Sequence, residues 1–357
     1  MDIKGIISDV KFNCNVSDAK FWGHYSICGL LLRMRELYKN EKGLMPWETI
    51  PSEDMTTWIG EREALWRELE DKDFQPINID GKRYSPFDVE SINGILNPRG
   101  LLYGGGYGTL GKPTFFISRL IKKTEILDYN LYYAGEELCR DLSTSMAMLQ
   151  GICIFVRTEA IRLILWEKVS EMRARRFKGL LDRAFADYNI GKGTPNGLDL
   201  YERLGEITDD IKDLFVYHEV GEAVEDSYGI QWEGLSFSDR WLELHLRGIK
   251  DILADTSYKG PLKFIIDKRD ERLLIFYLIF LDGIRKTLFP EIMNSYQNFL
   301  DKPDWKLIES ARNKGYERAK SIIEGLSIMI KDKETSPNLK VFIKKYLEDA
   351  LRGLMIN

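Results

Sequence analysis

Apolar residues recur with a helical period near the start of the chain. Over residues 17–71 they fall at i, i+3, i+4 and i+7, which predicts helices with one buried face. We expect one helix to be capped at Ser17 and to end near Gly43, because serine favours helix starts and glycine favours helix ends. A second helix should begin at Ser52. The pattern therefore predicts an N-terminal helical segment over residues 1–74.

The pattern changes between residues 75 and 157, where short strand-like runs are bounded by turn residues. Asp80-Gly81 is a two-residue hairpin signal between two of these runs. Further strands are predicted at residues 100–103, 114–120, 126–133 and 152–156, with a short helix at 136–142. This segment is therefore expected to form a strand-rich subdomain with a small antiparallel sheet.

From residue 158 to residue 357 the period is again helical, and helix follows helix. The most apolar run, Leu273–Leu281, has about half the length that a bilayer-spanning helix needs, so we expect a buried core helix there. The three segments together predict an α+β protein that is mainly α-helical, with a small antiparallel β-sheet subdomain.

Composition narrows the class of protein. The chain of 357 residues has a net charge of -5, whereas nucleic-acid and membrane-surface proteins usually carry a basic excess. Its four cysteines show no CxxC spacing, so no zinc ribbon is predicted. Sparse cysteines and a start without a leader-like pattern favour a soluble, cytoplasmic protein. We therefore expect neither a membrane nor a nucleic acid as its partner.

The three histidines project onto apolar helical stripes, and the stripe through His218 is the most informative. This stripe is apolar up to Phe215 and then continues in the same direction as His218, Glu222 and Glu225. His218 and Glu222 lie four residues apart, so their side chains point to the same place. A buried carboxylate needs a cation, a metal ion or a donor, and helical bundles build metal sites from inward-facing Glu and His.

These residues predict a site for a divalent metal ion (iron, zinc or manganese), or an acid/base pair, centred on His218 and Glu222. Glu225, His245 and His24 are further candidate ligands. The spacing matches neither HExxH nor the ExxH pair of di-iron bundles. Two other interpretations stay open: a structural network in which His218 is neutral and Glu222 pairs with an arginine, and a helix end that emerges into solvent.

Two aspartates on the helix of His245 are interpreted differently. Asp251 and Asp255 are four residues apart and project opposite to the apolar stripe of that helix. We therefore expect solvated carboxylates, with Arg247 pairing to Asp251, rather than metal ligands.

A glycine-rich loop at residues 104–113 is the second candidate site. It matches GxGxxG, but a predicted strand follows it, whereas a helix follows a dinucleotide-binding loop. No HRD or DFG motif accompanies it, so a kinase is not supported. Backbone N–H groups and a lysine could still hold an anion, and the alternative is a hairpin tip without a ligand. The residues expected to bind a small anionic ligand are Gly104, Gly106, Gly108, Gly111, Lys112, Tyr103 and Tyr107.

Five stretches together resemble an uncharacterised prokaryotic protein family. They are YSICGLLLR (25–33), GKPTFF (111–116), QGICIFVR (150–157), HEVGE (218–222) and KDILADT (250–256). The resemblance implies that most of the chain acts as one functional unit, and it implies no activity and no catalytic residue.

Two functional hypotheses follow from the two candidate sites. The leading one is a helical metal-binding protein that uses His218 and Glu222, with enzymatic activity left open. The alternative is a non-catalytic protein that binds an anionic ligand or a partner through the glycine-rich loop. An oligomer is compatible with both hypotheses.

Overall fold

The computed structural model describes residues 1–108, 111–225, 239–281, 283–333 and 338–352. The chain forms two compact units. The first comprises Met1–Glu171 and Lys192–Asp209, and the second comprises Met172–Gly191 and Asp210–Asn357.

The first unit combines helices with two sheets. Its helical elements are α1 (Ile3–Phe21), α2 (Ile27–Lys42), α3 (Ser52–Leu69), α4 (Val89–Leu96), most of α5 (Thr158–Ala174), the first part of α7 (Leu198–Glu225) and two 3-10 turns (Trp22–His24 and Asn97–Arg99). Its strands are β1 (Ile77–Ile79), β2 (Lys82–Tyr84), β3 (Leu101–Tyr107), β4 (Pro113–Ile126), β5 (Tyr129–Arg140), β6 (Ala147–Gln150) and β7 (Cys153–Arg157).

The hairpin predicted at Asp80-Gly81 is confirmed. Strands β1 and β2 pair antiparallel, and both turn residues have a positive φ, 49° at Asp80 and 81° at Gly81. Such a turn has the twist that joins two neighbouring antiparallel strands.

The prediction of a small antiparallel sheet is wrong. The main sheet has five strands in the order β3-β4-β5-β7-β6, and β5 pairs parallel with β7, so the sheet is mixed. Strands β4 and β5 are also long, with 14 and 12 residues. The helix expected at 136–142 is largely the end of β5, because pairing with β4 outweighs the local preference of this segment. Parallel pairing joins strands distant along the chain, so local patterns do not reveal it.

Helix α1 covers the main sheet and forms the larger core of the first unit. Ile6, Val10 and Cys14 from α1 are buried in the same cluster as Phe115 and Ile117 from β4. This burial removes apolar side chains from water on both elements, which is the dominant favourable contribution to folding.

The predicted ends of the N-terminal helices are partly right. Ser17 does not cap a helix: α1 begins at Ile3, with the carboxylate of Asp2 accepting a hydrogen bond from the backbone N–H of Gly5 at 3.0 Å. Gly43 does end α2, in the left-handed conformation with φ 65°.

All the regular secondary structure described in the second unit is helical. It contains α6 (Leu180–Ala186), the second part of α7, α8 (Arg240–Thr256), α9 (Pro261–Lys268), α10 (Glu271–Phe280), α11 (Gly283–Leu288), α12 (Pro290–Asp301), α13 (Trp305–Lys333) and α14 (Leu339–Leu351). The buried core helix expected from the run Leu273–Leu281 is confirmed as α10, in which Leu273 to Phe280 are all buried. Among the described residues, no helix combines the length and the apolar character needed to cross a membrane.

Candidate metal centre

The polar sector of α7 lies within the second unit. Ile207, Ile211 and Leu214 are buried, as the apolar stripe predicts. One turn further on, His218 and Glu222 occupy the same sector, with side chains that are 22% and 23% exposed. Both groups are therefore sheltered yet open to a small ion from solvent.

A close approach of two helices brings α8 next to these side chains. A Cβ atom at Gly221 would lie 2.3 Å from the backbone oxygen of Ala254, far inside any ordinary contact. Only glycine therefore lets α7 come this near to α8. The contact places Asp251 and Asp255 of α8 beside His218.

His218, Glu222 and Asp251 form a group that could hold a metal ion. One ligand atom from each lies within 4.8 Å of the other two. His218 Nε2 is 3.8 Å from Glu222 Oε1. Ligand atoms around a divalent ion with bonds of about 2.1 Å lie roughly 3–3.5 Å apart. The three ligand atoms would therefore have to approach one another by about 1 Å when an ion binds.

The other nitrogen of His218 is held by a buried carboxylate. His218 Nδ1 lies 2.7 Å from Asp255 Oδ1, and the hydroxyl of Tyr277 donates to Asp255 Oδ2 at 3.1 Å. Asp255 is only 2% exposed, so its position is fixed by packing. Metal-binding histidines usually donate their second N–H to such a carboxylate, which leaves the opposite nitrogen facing the ion. Here the opposite nitrogen faces Glu222.

The carboxylates give His218 a strong hold on a proton. Burial lowers the pKa of His218, but the charge and hydrogen bond of Asp255, followed by the charges of Glu222 and Glu219, outweigh burial and raise the pKa to about 10. Burial also raises the pKa of Asp251, although His218 and Arg285 oppose that change. Without a metal ion, His218 is therefore a cation at neutral pH, and an ion that binds Nε2 must displace its proton.

Two basic side chains flank the group. Lys250 Nζ is 3.8 Å from Glu222 Oε2. Arg285 Nε is 3.9 Å from Asp251 Oδ2, and Arg285 Nη1 is 3.9 Å from Asp255 Oδ2. These distances are longer than direct hydrogen bonds, so the cations offset the charge of the carboxylates without forming hydrogen bonds to these oxygens.

The other three candidate ligands are not members of the metal-ligating group found among the described residues. Glu225 accepts a hydrogen bond from the Tyr316 hydroxyl at 3.4 Å. The buried ring of His245 stacks on Trp241, and its Nδ1 lies 2.7 Å from the Trp241 carbonyl oxygen. His24 belongs to the first unit, where α1 has already ended and an exposed 3-10 turn carries it.

The two aspartates of α8 were misjudged by helical projection. Asp255 is buried and Asp251 has a side chain that is only 19% exposed, so the expectation of solvated carboxylates is wrong. The apolar stripe of α8 marks only one of its packed faces, because α7 covers the opposite one. Gly221 was the available signal, since a glycine inside a helix often marks close contact with another backbone.

The glycine-rich segment is built differently from an open anion-binding loop. Gly104 and Gly106 lie in strand β3, where a Cβ atom would collide with Phe116 and Gln150 respectively. The N–H of Gly108 donates to the Lys112 carbonyl oxygen at 2.8 Å, and the N–H of Gly111 donates to the Gly108 carbonyl oxygen at 3.1 Å. Both N–H groups are therefore used within the turn. Residues 109 and 110 of the GxGxxG match lie outside the described residues.

Aromatic residues of the same segment pack within the first unit. The Tyr103 ring is buried, and its hydroxyl donates to the Pro86 carbonyl oxygen at 2.7 Å. Tyr107 is 56% exposed, and its ring stacks on Phe87 with a centroid distance of 5.2 Å. The glycines thus fit close packing, which the sequence pattern does not distinguish from ligand binding.

Lys112 takes part in a buried ionic cluster that sequence reasoning missed. Its Nζ lies 3.0 Å from Asp18 Oδ1 and 3.1 Å from Asp141 Oδ2, and all three side chains are buried. The backbone N–H groups of Phe115 and Leu142 donate to these carboxylates. Two carboxylates therefore already neutralise the ammonium group that the sequence assigned to an anionic ligand.

Comparisons with known proteins place the chain in a family. No curated protein and no solved structure matches it. Residues 5–157 match the family model described as "Family of unknown function (DUF6866) N-terminal domain", and residues 162–349 match that of the C-terminal domain. The uncharacterised family expected from the resemblance is thereby confirmed. The chain belongs to the family of unknown function DUF6866, across both of its domains.

Proposed function

We propose that the second unit binds one divalent metal ion through His218 Nε2, Glu222 and Asp251. The observation that carries the proposal is that one ligand atom from each of these three residues lies within 4.8 Å of the other two. Asp255 occupies Nδ1 of the imidazole, which leaves Nε2 for the ion. Two carboxylates and one imidazole form an oxygen-rich set, which favours Mn²⁺ or Fe²⁺ over softer ions.

The chemistry of such a centre follows from its open positions. Three protein ligands would leave a bound divalent ion open to water or a substrate, and the ion would supply Lewis acidity there. The chain itself orients the imidazole through Asp255 and Tyr277. It also keeps Glu222 and Asp251 partly exposed, so a ligand can reach the centre.

An acid/base pair without metal is the weaker proposal. Asp255 and His218 resemble the carboxylate–imidazole pair that orients a general base. A general base at neutral pH has a pKa near 7, whereas the carboxylates raise the pKa of His218 to about 10. At neutral pH this imidazole therefore holds its proton and can act only as a donor.

Mn²⁺ binding tests the proposal directly. Metal-free protein is titrated with Mn²⁺ while electron paramagnetic resonance follows the free ion, and we expect one bound ion per chain. Loss of a residue that only supports a metal ligand typically weakens metal binding by about 10–100-fold. Glu222→Gln and Asp251→Asn should each weaken Mn²⁺ binding by more than this, because each removes a direct ligand. Parallel titrations with Fe²⁺ and Zn²⁺ rank the ions.

Two variants serve as matched controls. Glu206→Gln removes an exposed carboxylate from the same helix, and His245→Gln removes the other histidine of the second unit. Both should bind Mn²⁺ like the wild type. The proposal is abandoned if the folded wild type binds none of the three ions, or if Glu222→Gln and Glu206→Gln bind equally well.

A further inference from the structure

Two basic side chains, Lys250 and Arg285, lie beside the candidate metal centre and influence which ligand a bound metal ion would accept. Lys250 faces an oxygen of Glu222, and Arg285 faces an oxygen of Asp251, at 3.8 and 3.9 Å. Both carboxylates are proposed metal ligands. If an ion took these oxygens, Lys250 would lose its carboxylate partner, and Arg285 would keep only Asp255.

The charges of the ion and the surrounding side chains give the net charge of the metal-loaded centre, and so the sign of the charge on the ligand that it attracts. A divalent ion cancels the charges of Glu222 and Asp251. Asp255, which lies 3.9 Å from Arg285, cancels the charge of that arginine. The charge of Lys250 then remains, so the described side chains give the loaded centre one net positive charge.

Two further charges of described residues act on the proposed ligands. Glu219 acts on His218, and Arg247 acts on Asp251, through their electric fields. The two charges have opposite signs and cancel. A partly buried site with a net positive charge favours an anion, because low surrounding polarity strengthens the attraction.

We infer that the metal-loaded centre binds a phosphate group, with Lys250 as the second anchor. This inference rests on the proposed metal site. Divalent ions held by few carboxylates commonly complete their coordination with phosphate oxygens, and lysine is a common phosphate binder. The tetrahedral group has enough oxygens to contact the ion, Lys250 and Arg285 together. The side chain of Lys250 is 33% exposed, so its ammonium group can turn towards a ligand that arrives from solvent.

Calorimetric titration with inorganic phosphate tests the inference. Phosphate is added to Mn²⁺-loaded protein and to metal-free protein, and we expect binding only to the loaded form. Lys250→Met should weaken phosphate binding by about tenfold or more, the loss expected for one charge-assisted hydrogen bond. The same variant should bind Mn²⁺ at least as tightly as the wild type, since a competing cation is gone, and this binding also reports that it is folded.

Lys263→Met provides the matched control. Lys263 pairs with Asp267 on α9 of the same unit and has a similar exposure, 34%. Its loss should leave phosphate binding unchanged. Glycerol phosphate and acetate complete the comparison. Tighter binding of glycerol phosphate than of free phosphate supports the inference and shows that the site prefers a phosphate ester.

The outcomes separate the two proposals. If Mn²⁺ binds but phosphate does not, or if Lys250→Met and Lys263→Met bind phosphate alike, the phosphate inference is overturned and the metal site stands. Acetate binding as tight as that of phosphate would also overturn it. If none of Mn²⁺, Fe²⁺ and Zn²⁺ binds, the proposed function falls and the phosphate inference falls with it.

Discussion

The pKa of His218 is the sharpest prediction that the structure makes. In the metal-free protein the imidazolium is held by Asp255, and the neighbouring carboxylates raise its pKa to about 10 from an ordinary value of 6.5. Asp255→Asn keeps the shape of the side chain and an oxygen that can accept the Nδ1–H hydrogen bond. The substitution removes the negative charge that contributes most to raising the pKa of His218. We therefore expect this pKa to fall by two units or more, at about 1.4 kcal/mol per unit.

The same shift makes folding stability depend on pH. A histidine whose pKa is raised in the folded state stabilises that state fully below the unfolded pKa of 6.5, and the contribution disappears as the pH rises through the folded pKa of about 10. The full shift corresponds to about 5 kcal/mol. The free energy of unfolding of the wild type should therefore fall towards that of Asp255→Asn between pH 6.5 and 10, since other groups that titrate there are common to both proteins.

Nuclear magnetic resonance of the imidazole rings provides the assay. The chain has three histidines, so selective labelling gives few signals, and His24→Gln and His245→Gln assign them. We expect one ring to stay protonated at pH 8 in the wild type and to titrate near neutral pH in Asp255→Asn. A His218 ring that titrates at 6–7 in the folded, metal-free wild type would refute the reasoning.

Two further predictions concern packing and buried charge. Gly221→Ala should destabilise the protein by about 1–3 kcal/mol in urea unfolding and weaken Mn²⁺ binding, because its methyl group meets the α8 backbone. Gly60→Ala, at an open position of α3, should instead stabilise the protein by about 0.5–1 kcal/mol. Equal effects of the two substitutions would contradict the steric argument. Lys112→Met should cost about 3–5 kcal/mol, because it leaves the buried carboxylates of Asp18 and Asp141 without their cation. Adding Asp18→Asn should recover part of that loss in the same unfolding assay, and a Lys112→Met variant as stable as the wild type would show that the cluster contributes nothing.

Much of the secondary structure follows from the sequence, because local patterns report local geometry. The Asp80-Gly81 turn, the left-handed Gly43 and the apolar helix α10 are each specified by a few neighbouring residues. The sheet is different. Strand β7 pairs with β5 in parallel, and the end of β5 looks helical in isolation. Pairing partners distant along the chain decide both features.

In the candidate metal centre, too, some features follow from the sequence and others only from the tertiary structure. The sequence by itself determined that α7 turns from apolar to polar and that His218 and Glu222 share one face, because a helix fixes the angle between residues four apart. It could not determine that Asp251 and Asp255 belong to the same site, since their helix has a second packed face. The tertiary structure decided that point through Gly221, whose missing side chain lets α7 and α8 approach closely enough for four polar groups to meet.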